Sequence, residues 1–430
     1  MTTPSIDSEA GPREPLSSTA NIQSVLTTRQ PPRILHRCAA LVLGLLVAST
    51  AAHAQDQQLG ARTKAMGGSY TAFEDDPVSV WLNPAGISTQ TDQGSIAYQT
   101  YTGYPRHERG SSGSDSPSFS VSAKSSLVDP AFIPSYLGFV FQVGDSALPM
   151  AIGICYARPF NLNYSFDLVD DPLQQSFTPT QNIQESFTRF RIAYAIDFRL
   201  KPVGTAGFLT HVSAGAGVDI GFMSWRFNSP TESKSDSETA PGGGAGVLVG
   251  LYDDYDSLRI NLGAAYQSGI HWNFSVDPAL APVFQMPQQL NAGMTFYLLR
   301  GSPFRLTADV QWIQWSKTAD QPMFPGEPGF HDAINYSLGG EYRIPLAERL
   351  YLNPRVGYRR FDAPWANEND LPMTSNYKLV LDTKAHVFNI ATFGAGLLWT
   401  SALGKMRSVD LGVDVGGDAP NVALGFNYEF

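Results

Sequence analysis

The last ten residues, Asn421-Val422-Ala423-Leu424-Gly425-Phe426-Asn427-Tyr428-Glu429-Phe430, constrain the fold more than any other stretch. Every even position is apolar or aromatic, and every odd position is polar or small. Successive side chains of a strand point to opposite faces, so this tail is a ribbon with one apolar and one polar side. Ten residues at about 3.3 Å each, tilted by about 45°, rise about 23 Å, close to the height of the apolar band of a transmembrane barrel. An edge strand of a soluble sandwich would alternate as well, but would seldom stop on Phe.

The same period recurs along the chain. Phe190, Ile192, Tyr194, Ile196 and Phe198 alternate with Arg189, Arg191, Ala193, Ala195 and Asp197. Val212, Val218, Ile220 and Phe222 oppose His211, Ser213, Asp219 and Gly221, and Leu258, Ile260 and Leu262 oppose Arg259, Asn261 and Gly263. No segment sustains a 3.6-residue period. About fourteen such segments run from position 94 onward, with 118–125 the ambiguous one, and bacterial barrels use even numbers. Short links at 144–148, 253–256, 299–303, 345–349 and 401–406 alternate with long ones at 158–185, 226–242, 268–287, 316–332 and 360–386. A transmembrane antiparallel β-barrel with short periplasmic turns and long outer loops has this asymmetry. The predicted fold class is therefore all-β, a barrel of about 14 strands.

The charged positions then choose the inner face. Arg189, Arg191, Asp197, Asp219, Arg259, Arg305, Asp309, Glu341, Arg343, Arg355, Arg359, Asp410 and Asp414 all oppose apolar neighbours. A charge facing lipid near the midplane costs about 2–4 kcal/mol, so these residues are expected to face the lumen. Both signs occur, which predicts pairing across the interior; bracing the lumen and guiding a substrate are both open to them. Trp312, Trp315, Tyr342, Tyr358 and Tyr428 near strand ends are expected in the interface girdles.

Residues 33–54 have the order of a secretory signal: Arg33 and Arg37, an apolar run from Ala39 to Thr50, then Ala52-His53-Ala54. Beyond position 54 the chain carries 25 basic and 36 acidic residues, a formal charge of −11, which argues against a nucleic-acid partner. Cys155 is the only cysteine there, so neither an internal disulfide nor a thiolate metal cluster is expected. No run of 18 apolar residues follows the signal, which excludes helical membrane spanning. The chemistry of enzymes is missing too: there is no HExxH, CxxC or Gly-x-Ser-x-Gly, and the histidines are widely separated. The run Gly242 to Gly246 lacks the Lys-Ser/Thr that a phosphate cradle needs. No cofactor, metal or catalysis is expected.

Residues 60–88 break the alternation. Small residues dominate the first half, and Asp75-Asp76-Pro77 and Asn83-Pro84-Ala85-Gly86 punctuate the second as turns or helix starts. A compact non-strand segment ahead of a barrel is most simply placed inside the lumen. The expected layout is an extension and signal at 1–54, a hatch at 55–93 and a barrel at 94–430.

The sequence Met66-Gly67-Gly68-Ser69-Tyr70-Thr71-Ala72, the pair Asp75-Asp76 and then Asn83-Pro84-Ala85-Gly86 together resemble the FadL superfamily of outer-membrane transporters. Two later stretches are similar as well, Asn261-Leu262-Gly263-Ala264-Ala265-Tyr266-Gln267-Ser268 and Leu306-Thr307-Ala308-Asp309-Val310-Gln311-Trp312. The terminal Phe430 resembles the signal read by barrel-assembly machinery in Gram-negative outer membranes. The resemblance implies a barrel plugged by an N-terminal hatch, with Gly67, Gly68, Asp75, Asp76, Asn83, Pro84, Ala85 and Gly86 as hatch residues. Asp76-Pro77 departs from the small residues often found after the acidic pair. It further implies passive uptake of long-chain fatty acids or aromatic and aliphatic hydrocarbons, with the hydrophobic compound leaving sideways through the wall into lipid. Some members instead serve as partners of secretion machinery. Transport predicts apolar residues in the outer loops, and Phe160, Phe166, Phe284 and Met286 are the candidates.

Overall fold

A computed structural model describes residues 59–73, 75–99, 107–108, 118–123, 133–145, 147–169, 181–202, 206–228, 233–254, 257–272, 285–299, 303–318, 330–362, 364, 387–416 and 421–430. The expected signal and Phe284 lie outside these residues. Fourteen strands form the ring: β1 Gln93–Gln99, β2 Tyr136–Gln142, β3 Met150–Val169, β4 Gln181–Arg199, β5 Gly207–Asn228, β6 Ser233–Asp253 and β7 Leu258–Gln267, then β8 Gln289–Leu298, β9 Phe304–Ile313, β10 Ala333–Tyr342, β11 Leu350–Asp362, β12 Val387–Thr400, β13 Met406–Val415 and β14 Asn421–Glu429. Each pairs antiparallel with its neighbours. β14 pairs back onto β1, from Gln93 opposite Glu429 to Gln99 opposite Ala423, which closes the barrel. Closure removes the unpaired edge that an open sheet would present.

The alternation sorts side chains as lipid demands. On β4, Arg189 and Arg191 are buried while Phe190 and Ile192 are exposed, and Val218 of β5 is 71% exposed. On β14, Leu424, Phe426 and Tyr428 are exposed and Ala423 is buried. Polar inside and apolar outside is the reverse of a soluble core and is the arrangement of a membrane-spanning barrel. Phe430 extends the outer row: its N–H donates to the Asp92 carbonyl at 3.1 Å, and its ring lies 5.8 Å from Phe141.

Strand lengths are uneven. β3, β4, β5 and β6 run 20, 19, 22 and 21 residues, about twice the ten of β7 to β10. The apolar band needs only about 9–11 residues per strand, so these four project beyond it. The expected long links at 158–185 and 226–242 are thus mostly strand. Phe160 pairs with Phe187 and Phe166 with Gln181 inside the β3–β4 ladder, so these two ligand-loop candidates belong to strands. The reason is visible in residues 160–168, where Phe, Leu, Tyr, Phe and Leu occupy every second position. The glycine run at 242–246 lies within β6. The ambiguous segment gives a strand at Ser118–Ala123 that stands outside the ring and pairs with residues 164–169 of β3. Trp315 is buried against Ile313 and Ala333 and is no girdle residue, whereas Tyr342, Tyr358 and Tyr428 are exposed.

Candidate functional site

The site grows from the segment 59–92, which precedes β1. Helix α1, Ala61–Ala65, and helix α2, Ser79–Leu82, are one turn each, and a 3-10 turn follows at Pro84–Ile87. Elements this short cannot hold themselves in water, so partners outside the segment must fix them. α1 packs on β12, β13 and β14, and the 3-10 turn packs on β3 to β6 across the ring. Leu59, Met66, Tyr70, Phe73, Val80, Trp81 and Ile87 are buried together with the inward residues Ala97, Tyr136, Ala151, Cys155, Ala157 and Ala193 of the first four strands.

Asn83 shows how one residue joins segment and wall. Its Oδ1 accepts from the Ala85 N–H at 3.1 Å and caps the 3-10 turn, with Pro84 supplying the ready-set φ of the first position. Its Nδ2 donates to the Thr71 carbonyl at 2.7 Å and to the Val247 carbonyl of β6 at 3.2 Å. Ala85 and Gly86 are buried behind it. At Gly67, φ is +68°, a conformation side chains rarely adopt, and an added Cβ would sit 2.7 Å from the Tyr358 carbonyl. Gly68 shares the left-handed conformation, with φ +87°.

Inward glycines of the wall receive this backbone. A Cβ added at Gly215, Gly246, Gly263, Gly339, Gly357 or Gly412 would come within 3 Å of Pro84, Asn83, Thr71, Met66, Gly67 or Ala61 respectively. Six strands thus lack a side chain where the segment passes. The sequence contains these glycines in plain view, but a strand glycine carries no mark of what approaches it.

Charges lock the two parts together. Arg62 donates from Nη1 to Asp75 Oδ1 at 2.9 Å and from Nη2 to Glu341 Oε1 of β10 at 2.9 Å. Arg305 of β9 reaches Asp75 at 2.5 Å and Glu341 at 3.2 Å, and Arg355 of β11 ties Glu341 to Asp410 of β13, both at 2.6 Å. Three cations and three anions balance in this network. Lys64 pairs with Asp414 at 3.2 Å. Asp309 Oδ2 accepts from the Tyr70 and Thr71 N–H groups, each at 2.8 Å, and from Thr71 Oγ1 at 2.7 Å. Arg191 donates to Asp219 Oδ1 at 2.6 Å and to the Trp81 carbonyl at 2.8 Å, while Arg189 is paired to the same aspartate. Both arginines lie against the Trp81 ring. Arg343 does not reach the segment: it is half-buried with its guanidinium over Tyr351, because its strand position falls beyond the end of β10. Arg259 is likewise turned to a ring, 4.0 Å from the Tyr297 centroid.

Asp75 and Asp76 are neighbours with opposite electrostatics, and both lie outside the spanning strands. Burial pushes Asp75 up, but the guanidinium groups of Arg62 and Arg305 outweigh it and hold the carboxyl well below the usual range. At Asp76 burial wins over Arg62 and the Val78 N–H, and the carboxyl is raised to about 6.

A cavity adjoins the segment. It holds about 50 Å³ and lies between Tyr70, Trp81 and the inner faces of β7 to β11. Its wall is rich in carboxamides: Gln311 donates to Gln289 at 2.9 Å, Asn335 to Gln311 at 3.0 Å, and Gln267 to the Trp81 carbonyl at 2.9 Å. An apolar cluster forms separately from Phe187, Met223, Ala240, Ile270, Trp272 and Met286, with Phe187 and Trp272 edge to face at 5.1 Å. Met286 is therefore buried in this cluster, where its backbone also bridges to Ile270. Among the described residues there is no group of His, Cys, Asp and Glu that could hold a metal ion.

No family model matches the chain, and no curated protein matches it in sequence. Solved structures do. The toluene transporter TbuX of Ralstonia pickettii is 15% identical with a TM-score of 0.52, covering 87% of this chain and 99% of that one. The toluene transporter TodX of Pseudomonas putida is 12% identical with a TM-score of 0.53, covering 89% of this chain and all of that one. The chain has the FadL-type fold. A FadL homologue of Pseudomonas aeruginosa matches equally, at 12% identity and TM-score 0.53. The FadL-type fold over nearly the whole length of these barrels agrees with the closed ring and its apolar exterior, the arrangement of a membrane-spanning barrel.

Proposed function

We propose that this chain is a passive, non-enzymatic channel of a Gram-negative outer membrane for hydrophobic compounds, fatty acids or hydrocarbons, with residues 59–92 as its hatch. The observation that carries the reading is the seating of that segment against inward residues from both sides of a FadL-type ring, where its backbone would obstruct free passage. Two of the matching barrels are toluene transporters by name. A hydrophobic compound gathered at the projecting strands β3 to β6 would reach the hatch, and local movement there would release it.

The exit we infer is sideways, through β3. Arg158 and Pro159 sit at a register shift between Ala157, opposite Arg189, and Phe160, opposite Phe187. A proline supplies no ladder N–H, so a bulge there weakens the wall. On the other side of β3, β2 ends opposite Ala157, the Arg158 N–H donates to the Ser135 carbonyl at 2.8 Å, and among the described residues strand pairing resumes at Tyr164 with Ala123. Liposomes containing the protein should take up labelled toluene or oleate several-fold faster than liposomes containing a non-specific porin. Equal rates for both compounds would overturn the proposal.

A further inference from the structure

We propose that the outward face of the projecting sheet, on β4, β5 and β6, binds the phosphorylated glycolipid of the outer leaflet through its phosphate and sugar groups. This inference rests on the outer-membrane placement of the channel reading and not on the compound the channel passes. The lipid-facing rows of these strands change character at one level. β4 exposes Tyr194, Ile192 and Phe190 in turn, and β5 exposes Val218, Ile220 and Phe222. The Phe190 and Phe222 rings meet edge to face at 5.8 Å, and Tyr156 meets Phe190 in the same way at 5.2 Å. Aromatic side chains collect where lipid chains give way to head groups, so this trio marks the outer border of the apolar band.

Beyond that border the same face carries hydroxyl groups. Ser186, Ser224 and Ser237 stand opposite one another across β4, β5 and β6, and one row further out Arg226 stands opposite Ser235. Ser224, Arg226, Ser235 and Ser237 are exposed. The carboxylates at this level alternate onto the other face: Asp236 and Glu238 lie opposite Trp225 and Met223, which are buried. The Arg226 side chain makes no ion pair or hydrogen bond with another described residue. Four residues at about 3.3 Å each, tilted by about 45°, put Arg226 roughly 9 Å beyond Phe222. Its long stem lets the guanidinium bend back to the head-group level, as cationic side chains at an interface do.

The chemistry of the face selects the lipid. A guanidinium forks onto phosphate oxygens, and serine hydroxyls both donate to and accept from sugar hydroxyls. A phospholipid supplies the phosphate without the sugars, and an uncharged glycolipid supplies the sugars without the phosphate. The phosphorylated glycolipid answers both, and its acyl chains continue onto the apolar belt below Phe190 and Phe222, the lipid interface already described.

Native mass spectrometry of the detergent-purified full chain tests this with three probes at equal concentration: rough lipopolysaccharide, phosphatidylglycerol and an uncharged glycosyl diacylglycerol. Lipopolysaccharide should bind about tenfold more than either of the others. Arg226→Gln should lower its binding about fivefold, the worth of one cation beside an anionic head group. Arg360→Gln is the control, because that guanidinium is already held over the Tyr336 ring at 5.7 Å and should leave binding unchanged. The lipid preference of the unaltered protein stands as a readout even where a variant fails to assemble. Either other lipid binding as well as lipopolysaccharide, or equal losses in the two variants, would overturn the glycolipid surface. The channel reading would survive that result, since uptake of toluene or oleate is measured in liposomes free of lipopolysaccharide. Failure of the chain to bind any of the three lipids and to insert into vesicles would overturn both.

Discussion

Single residues decide where the segment 59–92, the proposed hatch, can sit. A Cβ at Gly263 would come within 3 Å of the Thr71 carbonyl, a backbone atom that cannot swing aside. Forcing an extra methyl into such a contact costs about 1–3 kcal/mol. Gly263→Ala should therefore leave the barrel assembled but loosen the segment, seen as faster protease cleavage within residues 60–88. Gly340→Ala is the control, because its nearest neighbour would be the flexible Leu306 side chain at 3.5 Å. Similar cleavage rates in both variants would mean that the glycines are incidental. These positions were not legible in the sequence, since a small residue in a strand looks alike whether lipid or backbone passes over it. The inward charges were legible, because only one face of each alternating strand could carry them. Which of them meet the hatch was not: Arg62 and Glu341 are 279 positions apart, and their pairing exists only once the ring has closed.

At the scale of elements, the alternation of β4 and β14 was fully visible, because a period of two needs no knowledge of partners. The extensions of β3 and β4 carried the same signal through Phe160 and Phe166, but exceed what a membrane requires and so resemble loops. That residues 60–88 form no barrel strand was recognisable by the loss of alternation, though not their division into two single-turn helices and a 3-10 turn. Asp76 gives this element a pH response. The carboxyl titrates at an ordinary value of 3.8 in an open chain and at about 6 in the seated hatch. Between these values the seated form holds a proton that the released form has lost, so seating weakens as pH rises from about 4 to 6 and is level above. Hydrogen exchange of residues 76–88 should accelerate across that window, and Asp76→Asn, which keeps an acceptor for the Val78 N–H, should flatten the profile. Asp75 acts with the opposite sign, only at lower pH, since its carboxyl is held down by Arg62 and Arg305. An unchanged profile in the variant would assign the response elsewhere.

For the whole molecule, the closed ring explains both stability and chemistry: every spanning strand finds two neighbours, lipid meets apolar side chains, and buried charged groups are turned inward to pair with one another and with the segment 59–92. The projecting β3 to β6 and the break at Pro159 make the ring asymmetric, which is where collection and release are placed in the proposed route. The substrate itself was not legible in the sequence. The account stands or falls on whether the hatch closes the pore, and planar-bilayer conductance measures that directly. The intact protein should conduct almost nothing, whereas a chain lacking residues 60–88 should open stable, large single steps. Equal, near-zero conductance from both would show that wall side chains or loops fill the lumen, and would contradict it.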